Sequence, residues 1–159
     1  MMAIEITKLR VNYKTLEEFK KFKEYGIQEL SMSEDLEANI IENDSESPFY
    51  GIYFTDKLVA RMSVYQVKGK INRYFEPHVD YLEIWKLEVL PDYQGKGFGT
   101  ALVKFAKEFG MPIKTNPRIK SRSFWEKMGF CSVNYEMERD LGENPLIWLP
   151  ESIQEKEIS

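Results

Sequence analysis

Several features that would point to particular kinds of protein are scarce in this sequence of 159 residues. There is one cysteine, Cys131, so no disulfide can form within the chain, which fits a reducing compartment. The single histidine, His78, excludes a metal site built from several histidines, and we expect no metal. No apolar run reaches the length of a membrane span, and the N-terminus lacks a signal peptide's hydrophobic region. We therefore expect a cytoplasmic protein without a membrane partner.

An excess of basic charge is also missing. The 22 lysines and arginines are outnumbered by 26 aspartates and glutamates, so the formal net charge is −4. Because nucleic-acid-binding domains usually carry a basic patch, we expect no nucleic-acid partner. An acidic protein better suits a positively charged partner, such as an amine. Hydrophobic residues make up 43% of the chain, which argues against disorder and favours one domain with its own core.

Glycine is sparse as well, with nine in the chain, but three of them stand at alternate positions: Gly95, Gly97 and Gly99. The residues before them are typical of a buried strand, and those after them of a helix. The first-turn amides of a helix have no partner within the helix, and the peptide dipoles place partial positive charge there. Such a site binds phosphate, so this loop predicts a phosphate-bearing cofactor.

Two familiar phosphate-binding loops do not match these glycines. A P-loop needs four residues between its first glycine and Gly-Lys-Ser/Thr, whereas Lys96 is followed by Gly97. The dinucleotide fingerprint needs Gly-x-Gly-x-x-Gly and an acidic residue about 20 positions later. The region around Thr115 and Asn116 has no acid. A third pattern, Gln/Arg-x-x-Gly-x-Gly/Ala, matches the run from Gln94 to Gly99.

With this loop the chain resembles the GNAT superfamily of acyl-CoA-dependent N-acetyltransferases. In that family a Leu-x-Val-x-Pro strand precedes the loop, as Leu87 to Pro91 does here. A later helix ends in Phe-Tyr-x-x-x-Gly-Phe, which residues 124–130 resemble. The whole chain is also similar to a group of bacillal acetyltransferases called YlbP-like. The resemblance implies transfer of an acetyl group from acetyl-CoA to a primary amine by direct attack in a ternary complex.

The order of elements predicts an α/β fold of the α+β type. We expect a single N-acetyltransferase domain over residues 1–150 and a polar C-terminal tail over 151–159. Helices are predicted after a cap at Thr15, over 32–41, after the glycine loop and from about 121. Strands are predicted at 8–13, 50–54, 58–67, 81–90, 112–115, 130–133 and 146–149. The resemblance implies a mixed, mostly antiparallel sheet with helices on both faces. Its central parallel pair, 81–90 and 112–115, would splay apart to admit the pantetheine arm of CoA.

The resemblance also places the CoA site. Backbone amides from Gln94 to Thr100 would hold the pyrophosphate, with Lys96 either adding charge or simply solvated. Backbone groups of Leu87 and Val89 would pair with the pantetheine, and the Val89 amide would polarise the thioester carbonyl. Asn116 either bonds the pantetheine or marks a turn before a proline. The predicted CoA-binding residues are Leu87, Glu88, Val89, Gln94, Gly95, Lys96, Gly97, Phe98, Gly99, Thr100, Asn116, Phe124 and Trp125.

A base is needed because a lysine-type amine, with a pKa of about 10.4, is only about one part in a thousand neutral near pH 7.4. Some GNAT enzymes carry a glutamate base at the position of Glu83. Period-two alternation puts Glu83 on the same face of its strand as Trp85, with Glu88 pointing the other way as the second choice. The alternative for Glu83 is a surface or salt-bridged glutamate.

Trp125 departs from the family pattern, because many members have a tyrosine there as the proposed acid for the leaving thiolate. Indole does not give up its proton. Tyr135 or Cys131 would replace it, or the thiolate leaves unassisted. The alternative for Cys131 is a small buried hydrophobic residue. Trp125 either packs on the pantetheine or fills the core.

The rival function is an acyl-CoA-binding regulatory module without turnover. The acceptor is a small-molecule or peptide amine, and exposed aromatic residues would permit a homodimer.

Overall fold

A computed structural model gives the fold, and it describes residues 4–22, 36, 47–68, 80–117, 121–133 and 145–151. The helices in this part of the chain are α1 (Tyr13–Lys20), α2 (Phe98–Lys107) and α3 (Arg122–Lys127). The strands are β1 (Thr7–Lys8), β2 (Phe49–Phe54), β3 (Lys57–Val67), β4 (Tyr81–Val89), β5 (Ile113–Thr115), β6 (Cys131–Ser132) and β7 (Leu146–Trp148).

The described strands form one mixed sheet in the order β1-β2-β3-β4-β5-β7-β6. β1 with β2, β2 with β3, β5 with β7, and β6 with β7 are antiparallel. β4 and β5 are parallel, with Leu82 opposite Ile113 and Ile84 opposite Thr115. β5 ends at Thr115, while β4 continues past Ile84 to Val89. The predicted mixed sheet with a central parallel pair is therefore confirmed.

The chain separates into two compact units. Unit 1 comprises Met1–Ser63 and Lys86–Leu102, and unit 2 comprises Val64–Trp85 and Val103–Ser159. The core of unit 1 consists of apolar side chains from α1, the first strands and the end of the β4 segment: Leu9, Leu16, Phe19, Phe22, Leu36, Phe49, Leu58 and Leu90. In unit 2 the buried apolar side chains include Leu82, Ile84, Val103, Ala106, Ile113, Trp125, Phe130 and Leu146. The single domain over residues 1–150 stays a prediction.

The first helix begins earlier than the sequence pattern predicted. Asn12, not Thr15, is its N-cap, and the Asn12 side chain accepts a hydrogen bond from the Thr15 amide at 2.9 Å. Thr15 lies inside the first turn and is buried. The predicted strand over residues 8–13 was too long, since β1 ends at Lys8 and Tyr13 is already helical. The capping prediction was therefore wrong by one turn.

The hairpin of β2 and β3 follows the prediction closely. Its turn residues Thr55 and Asp56 both have positive φ, 49° and 64°. This pair of left-handed residues is typical of the two-residue turns that match strand twist. The Thr55 hydroxyl donates to the Phe54 carbonyl at 2.7 Å. A β-branched threonine is an uncommon choice for this conformation.

Several predictions fall outside the described residues. They include most of the helix predicted at 32–41, of which only Leu36 is described and is buried. The segment 69–79 and the tail after residue 151 are also outside. In the described part of the chain, no helix combines the length and apolar character that a membrane crossing requires.

Candidate functional site: the glycine loop and the carboxylates of β4

The loop that follows β4 is tied back to its own strand in unit 1. Pro91–Tyr93 forms a short 3-10 turn, and the Tyr93 amide donates to the Leu90 carbonyl at 2.9 Å. The side-chain amide of Gln94 then donates to the carbonyl of Val89 at 3.0 Å. Gln94 therefore sets where the glycine stretch leaves the strand.

Two of the loop glycines have backbone conformations that other residues rarely adopt. Gly95 has φ 76° and Gly97 has φ 90°, a region in which glycine carries no Cβ penalty. A Cβ added at either position would meet nothing within 4 Å. These glycines are thus required by the backbone turn, and the space beside them is open to a ligand.

Helix α2 starts directly from this loop. The first helical bond runs from the Ala101 amide to the Gly97 carbonyl at 3.0 Å. The amides of Phe98, Gly99 and Thr100 come before it, so helix geometry gives them no partner inside the helix. The helix dipole adds partial positive charge at the same point. An exposed loop with open space at its glycines therefore fits a phosphate group, as the sequence predicted.

Aromatic rings hold the base of the loop. The ring of Phe98 is buried and lies 6.4 Å from the Tyr93 ring and 6.2 Å from the Phe54 ring. The ammonium groups of Lys57 and Lys96 lie over the Tyr93 ring at 5.8 Å and 5.6 Å. Lys96 is exposed and stands beside the loop, so it places positive charge there.

Glu88 belongs to a buried ion pair in unit 1. Its carboxylate accepts from the Arg61 guanidinium at 2.9 Å and 3.2 Å, and Arg61 is 1% exposed. Arg61 also donates to the Phe19 carbonyl at 3.1 Å and stacks on the Phe22 ring at 4.1 Å. Burial raises the pKa of Glu88, and the charge of Arg61 opposes that rise. Burial likewise lowers the pKa of Arg61. Because this carboxylate already holds a buried arginine, Glu83 remains the better candidate for a base.

Glu83 lies in unit 2 with both carboxylate oxygens engaged. Lys114 of β5 donates to one oxygen at 2.9 Å, and the indole N–H of Trp85 donates to the other at 2.7 Å. The direct bond confirms that Glu83 and Trp85 share a face of β4. The salt-bridged arrangement was the alternative that the sequence left open. A carboxylate has about four lone-pair sites, so these two contacts leave room for an amine or a water.

The other predicted residues have simpler surroundings. Leu87 and Val89 are half-buried on β4, and Asn116 is exposed just after β5. Trp125 is 5% exposed, with the rings of Phe124 and Phe130 at 5.3 Å and 5.1 Å. Trp125 was predicted either to pack on the pantetheine or to fill the core, and this packing supports the second role.

Cys131 was predicted as a small buried hydrophobe, and this was wrong. The residue is exposed on β6, and its thiol lies 3.7 Å from the carbonyl oxygen of Ile147 on β7. β6 is a short strand at the end of the sheet order, so burial there is incomplete. Tyr135, the other predicted substitute acid, lies outside the described residues.

A recess in unit 1 was not predicted from the sequence. It has a volume of about 320 Å³ and is lined by Glu18, Lys21, Asp56, Lys57 and Leu58. The phenol of Tyr53 donates to Glu18 at 2.8 Å. Burial, together with the bond to and charge of Glu18, raises the pKa of Tyr53 well above its ordinary value. The mixture of charges lining the recess does not single out one kind of ligand.

The sequence reasoning also missed the two cationic partners, Lys114 and Arg61. Alternation along β4 indicates which face a carboxylate occupies, but not which residue of a neighbouring strand stands opposite it. A lysine within a short apolar strand and an arginine within a long one were the available signals, since charges buried in a sheet are nearly always paired. Among the described residues, no group of three or more His, Cys, Asp or Glu side chains could hold a metal ion.

Comparison with known proteins gives a consistent result. The model of the acetyltransferase (GNAT) family matches residues 12–130. A protein named as an N-acetyltransferase in Bacillus pumilus is 72% identical over 150 residues, which cover 94% of both chains. The N-acetyltransferase YlbP of Bacillus subtilis is 70% identical over 151 residues, 95% of this chain and 94% of that one.

A crystal structure of Bacillus subtilis YlbP in complex with coenzyme A has the same fold. Its TM-score is 0.79 at 69% identity, over 94% of this chain and 98% of that one. The resemblance inferred from the glycine loop and the Phe124–Phe130 motif is therefore confirmed, including its YlbP-like character. This chain belongs to the GNAT acetyltransferase family.

Proposed function

We propose that this protein transfers an acetyl group from acetyl-CoA to a primary amine by direct attack in a ternary complex. The observation that carries the proposal is the glycine loop, with its two positive-φ glycines and the first-turn amides of α2, which have no partner inside the helix. A relative that is 69% identical was crystallised with coenzyme A, which supports the same ligand here. When bound, acetyl-CoA supplies an acyl group activated as a thioester.

The residues of unit 1 would bind and polarise this co-substrate. Amides from Gln94 to Thr100 would hold the pyrophosphate, and Lys96 would add charge beside it. Leu87 and Val89 would offer backbone groups to the pantetheine. The amide of Val89 would donate to the thioester carbonyl, where negative charge develops during attack.

Glu83 would remove the proton that the acceptor ammonium must lose before attack. Its bonds to Lys114 and Trp85 fix the carboxylate in one orientation, which favours proton transfer along a defined path. Because two lone-pair sites are taken, the proton would arrive at a remaining site, directly or through one water.

The acid that many family members use for the leaving thiolate is missing at Trp125. Trp125 cannot donate its indole proton, and it is buried against two rings. The thiol of CoA is acidic enough to leave as a thiolate, so we propose unassisted departure, with Tyr135 and Cys131 as the remaining candidate acids. Cytoplasmic location, consistent with the exposed free thiol of Cys131, is part of the same proposal.

Thermal unfolding with and without acetyl-CoA tests the binding half of the proposal. Ligand at about 100 times its dissociation constant adds about 2.7 kcal/mol of stability, which raises the melting temperature of a protein of this size by several degrees. Gly97→Glu should abolish that rise, because it places a carboxylate and its side chain where the pyrophosphate would lie.

Gly110→Glu is the matched control for this experiment. Gly110 also has positive φ, 72°, and open space around its Cβ position. It therefore suffers the same backbone strain and the same added charge, but it lies at the far end of α2. It should lose stability as Gly97→Glu does and keep the full response to acetyl-CoA. If neither the parent nor the control responds, the loop assignment is wrong.

Release of CoA in the presence of primary amines tests the chemical half. Turnover with at least one amine supports the transferase. A normal thermal response to acetyl-CoA without release by any amine would instead support the binding module without turnover. The observation that favours this alternative is the buried Trp125 at a position where many family members have a tyrosine.

A further inference from the structure

The large side chain of Trp85 is 55% exposed at the end of unit 2's segment of β4. A tryptophan buries 150–250 Å² when it packs into a core, so leaving more than half of one in solvent forgoes stability. On the same face of the strand, Tyr81 is buried, and Glu83 and Leu87 are half-buried. General solvent exposure of this strand therefore does not explain why Trp85 is exposed.

This indole is held in one position although it is exposed. Its N–H donates to Glu83 at 2.7 Å, and its ring lies 5.2 Å from the Tyr65 ring at an interplanar angle of 56°. A free surface tryptophan would lose side-chain entropy on binding a ligand, whereas one already fixed at both its polar and its aromatic side loses less. Trp85 is thus a preorganised apolar surface.

Among the described residues of unit 2's segment of this strand and the residue before it, two carboxylates each lie beside a cation. Glu83 is paired with Lys114 at 2.9 Å, and Asp80, just before β4, lies 3.8 Å from Lys68. Asp80 also accepts from the Gln66 side chain at 3.1 Å. Because each of these carboxylates already has a cation beside it, they offer little extra attraction to a second ammonium group on an acceptor.

We propose that Trp85 selects the acceptor: the preferred substrate is a primary amine whose carbon skeleton carries an aryl or branched alkyl group within about two carbons of the amine, not a polyamine. The inference rests on the proposed function, with Glu83 as the base. An amine within reach of the Glu83 carboxylate is also next to the indole that donates to it. The apolar part of the acceptor then covers the exposed ring face, and the single ammonium meets the Glu83–Lys114 pair.

The test compares two probe amines, 2-phenylethylamine and 1,4-diaminobutane, as acceptors with saturating acetyl-CoA. CoA release is followed by chromatography, because the exposed Cys131 thiol would react with a thiol reagent. The parent should have a kcat/KM about tenfold higher for the aryl amine, since a well-placed aromatic contact is worth up to about that factor.

Two substitutions separate the contribution of the aromatic ring from that of its hydrogen bond to Glu83. Trp85→Ala and Trp85→Phe both remove the bond to Glu83, so any loss of base orientation is common to both. Trp85→Ala should lower the ratio of the two kcat/KM values about tenfold, and Trp85→Phe should keep most of it. Tyr13→Ala, at an exposed ring on α1, is the control and should leave the ratio unchanged.

The outcomes separate this inference from the proposed function. A preference for the diamine, or a ratio that Trp85→Ala does not change, would overturn the inference while turnover itself upheld the transferase. Absence of CoA release with both probes and with other primary amines would overturn the transferase, and the inference with it. A lowered ratio in the alanine variant, retained in the phenylalanine variant, supports acceptor selection by Trp85.

Discussion

Glu83 and Glu88 stand on one strand with the same side chain, and their partners give them different chemistry. Glu88 accepts from Arg61, which is 1% exposed, and it helps to bury that charge. Glu83 accepts from Lys114 and from an indole that is itself exposed. A substrate can reach a carboxylate only where the groups beside it are open to solvent. We therefore assign Glu88 a structural role and keep Glu83 as the candidate catalytic residue.

Replacing the Glu83 carboxylate by its isosteric amide tests that division. Glu83→Gln should lower kcat about 100-fold, within the range by which general bases contribute. The thermal response to acetyl-CoA should be unchanged, since the amide keeps the size of the side chain and the loop is untouched. Steady-state kinetics and thermal unfolding measure the two effects.

Glu108→Gln makes the same chemical change at an exposed position just after α2 and should leave kcat at the parent value. Parent-like turnover in Glu83→Gln would show that Glu83 is not the base.

Single residues also show where sequence reasoning reached its limit. The positive φ values of Gly95 and Gly97 follow from a local turn, which spaced glycines can indicate, whereas CoA binding by this loop stays a prediction. The burial of Cys131 was predicted wrongly, because exposure depends on how far β7 and its surroundings cover β6. Lys114 and Arg61 went unnoticed, since each acts through a residue far away in sequence.

The elements were largely predictable, and the first helix shows why one boundary was not. Asn12 and Thr15 are both good capping residues, and local preference does not choose between them. The amide of Leu9 bonds to the Phe49 carbonyl at 2.9 Å, so the chain is held against β2 up to three residues before the cap. Such a contact with a distant segment is not visible in the local preference of Asn12 or Thr15.

The turn between β2 and β3 carries backbone strain that substitution should relieve. Thr55→Asn with Asp56→Gly places residues that adopt positive φ more readily at 49° and 64°. The free energy of unfolding should rise by about 1 kcal/mol, because a left-handed conformation costs an ordinary residue about that much. Urea unfolding measures the change.

Thr7→Asn, at an exposed strand position, is the comparison and should be neutral or slightly destabilising. An unchanged midpoint in the double variant would mean that this turn stores no strain.

At the scale of the whole molecule, stability should depend more on one buried ion pair than on ion pairs at the surface. Glu88→Ala leaves Arg61 buried without its carboxylate and should lower the free energy of unfolding by about 3–5 kcal/mol. Glu126→Ala breaks a pair of similar length with Arg122, 3.0 Å, on the exposed side of α3. It should cost at most about 0.5 kcal/mol.

A double variant separates the effect of the unpaired charge from the effect of the lost side-chain volume. Arg61→Met with Glu88→Leu removes both charges together and should recover most of the stability that Glu88→Ala loses. Urea unfolding of the three variants gives the comparison. Equal losses in Glu88→Ala and Glu126→Ala would contradict the importance assigned to the buried pair.

The sequence by itself determined the family and the order of the elements, and it predicted that the glycine loop binds phosphate. These depend on local properties: the period of the apolar residues, the conformational freedom of glycine and the free amides at a helix start. The register of β4 against β5, which sets Lys114 beside Glu83, was decided by tertiary structure alone. So was the exposure of Trp85. Pairing and exposure depend on which distant segments meet, and local preference along a strand carries no information about that.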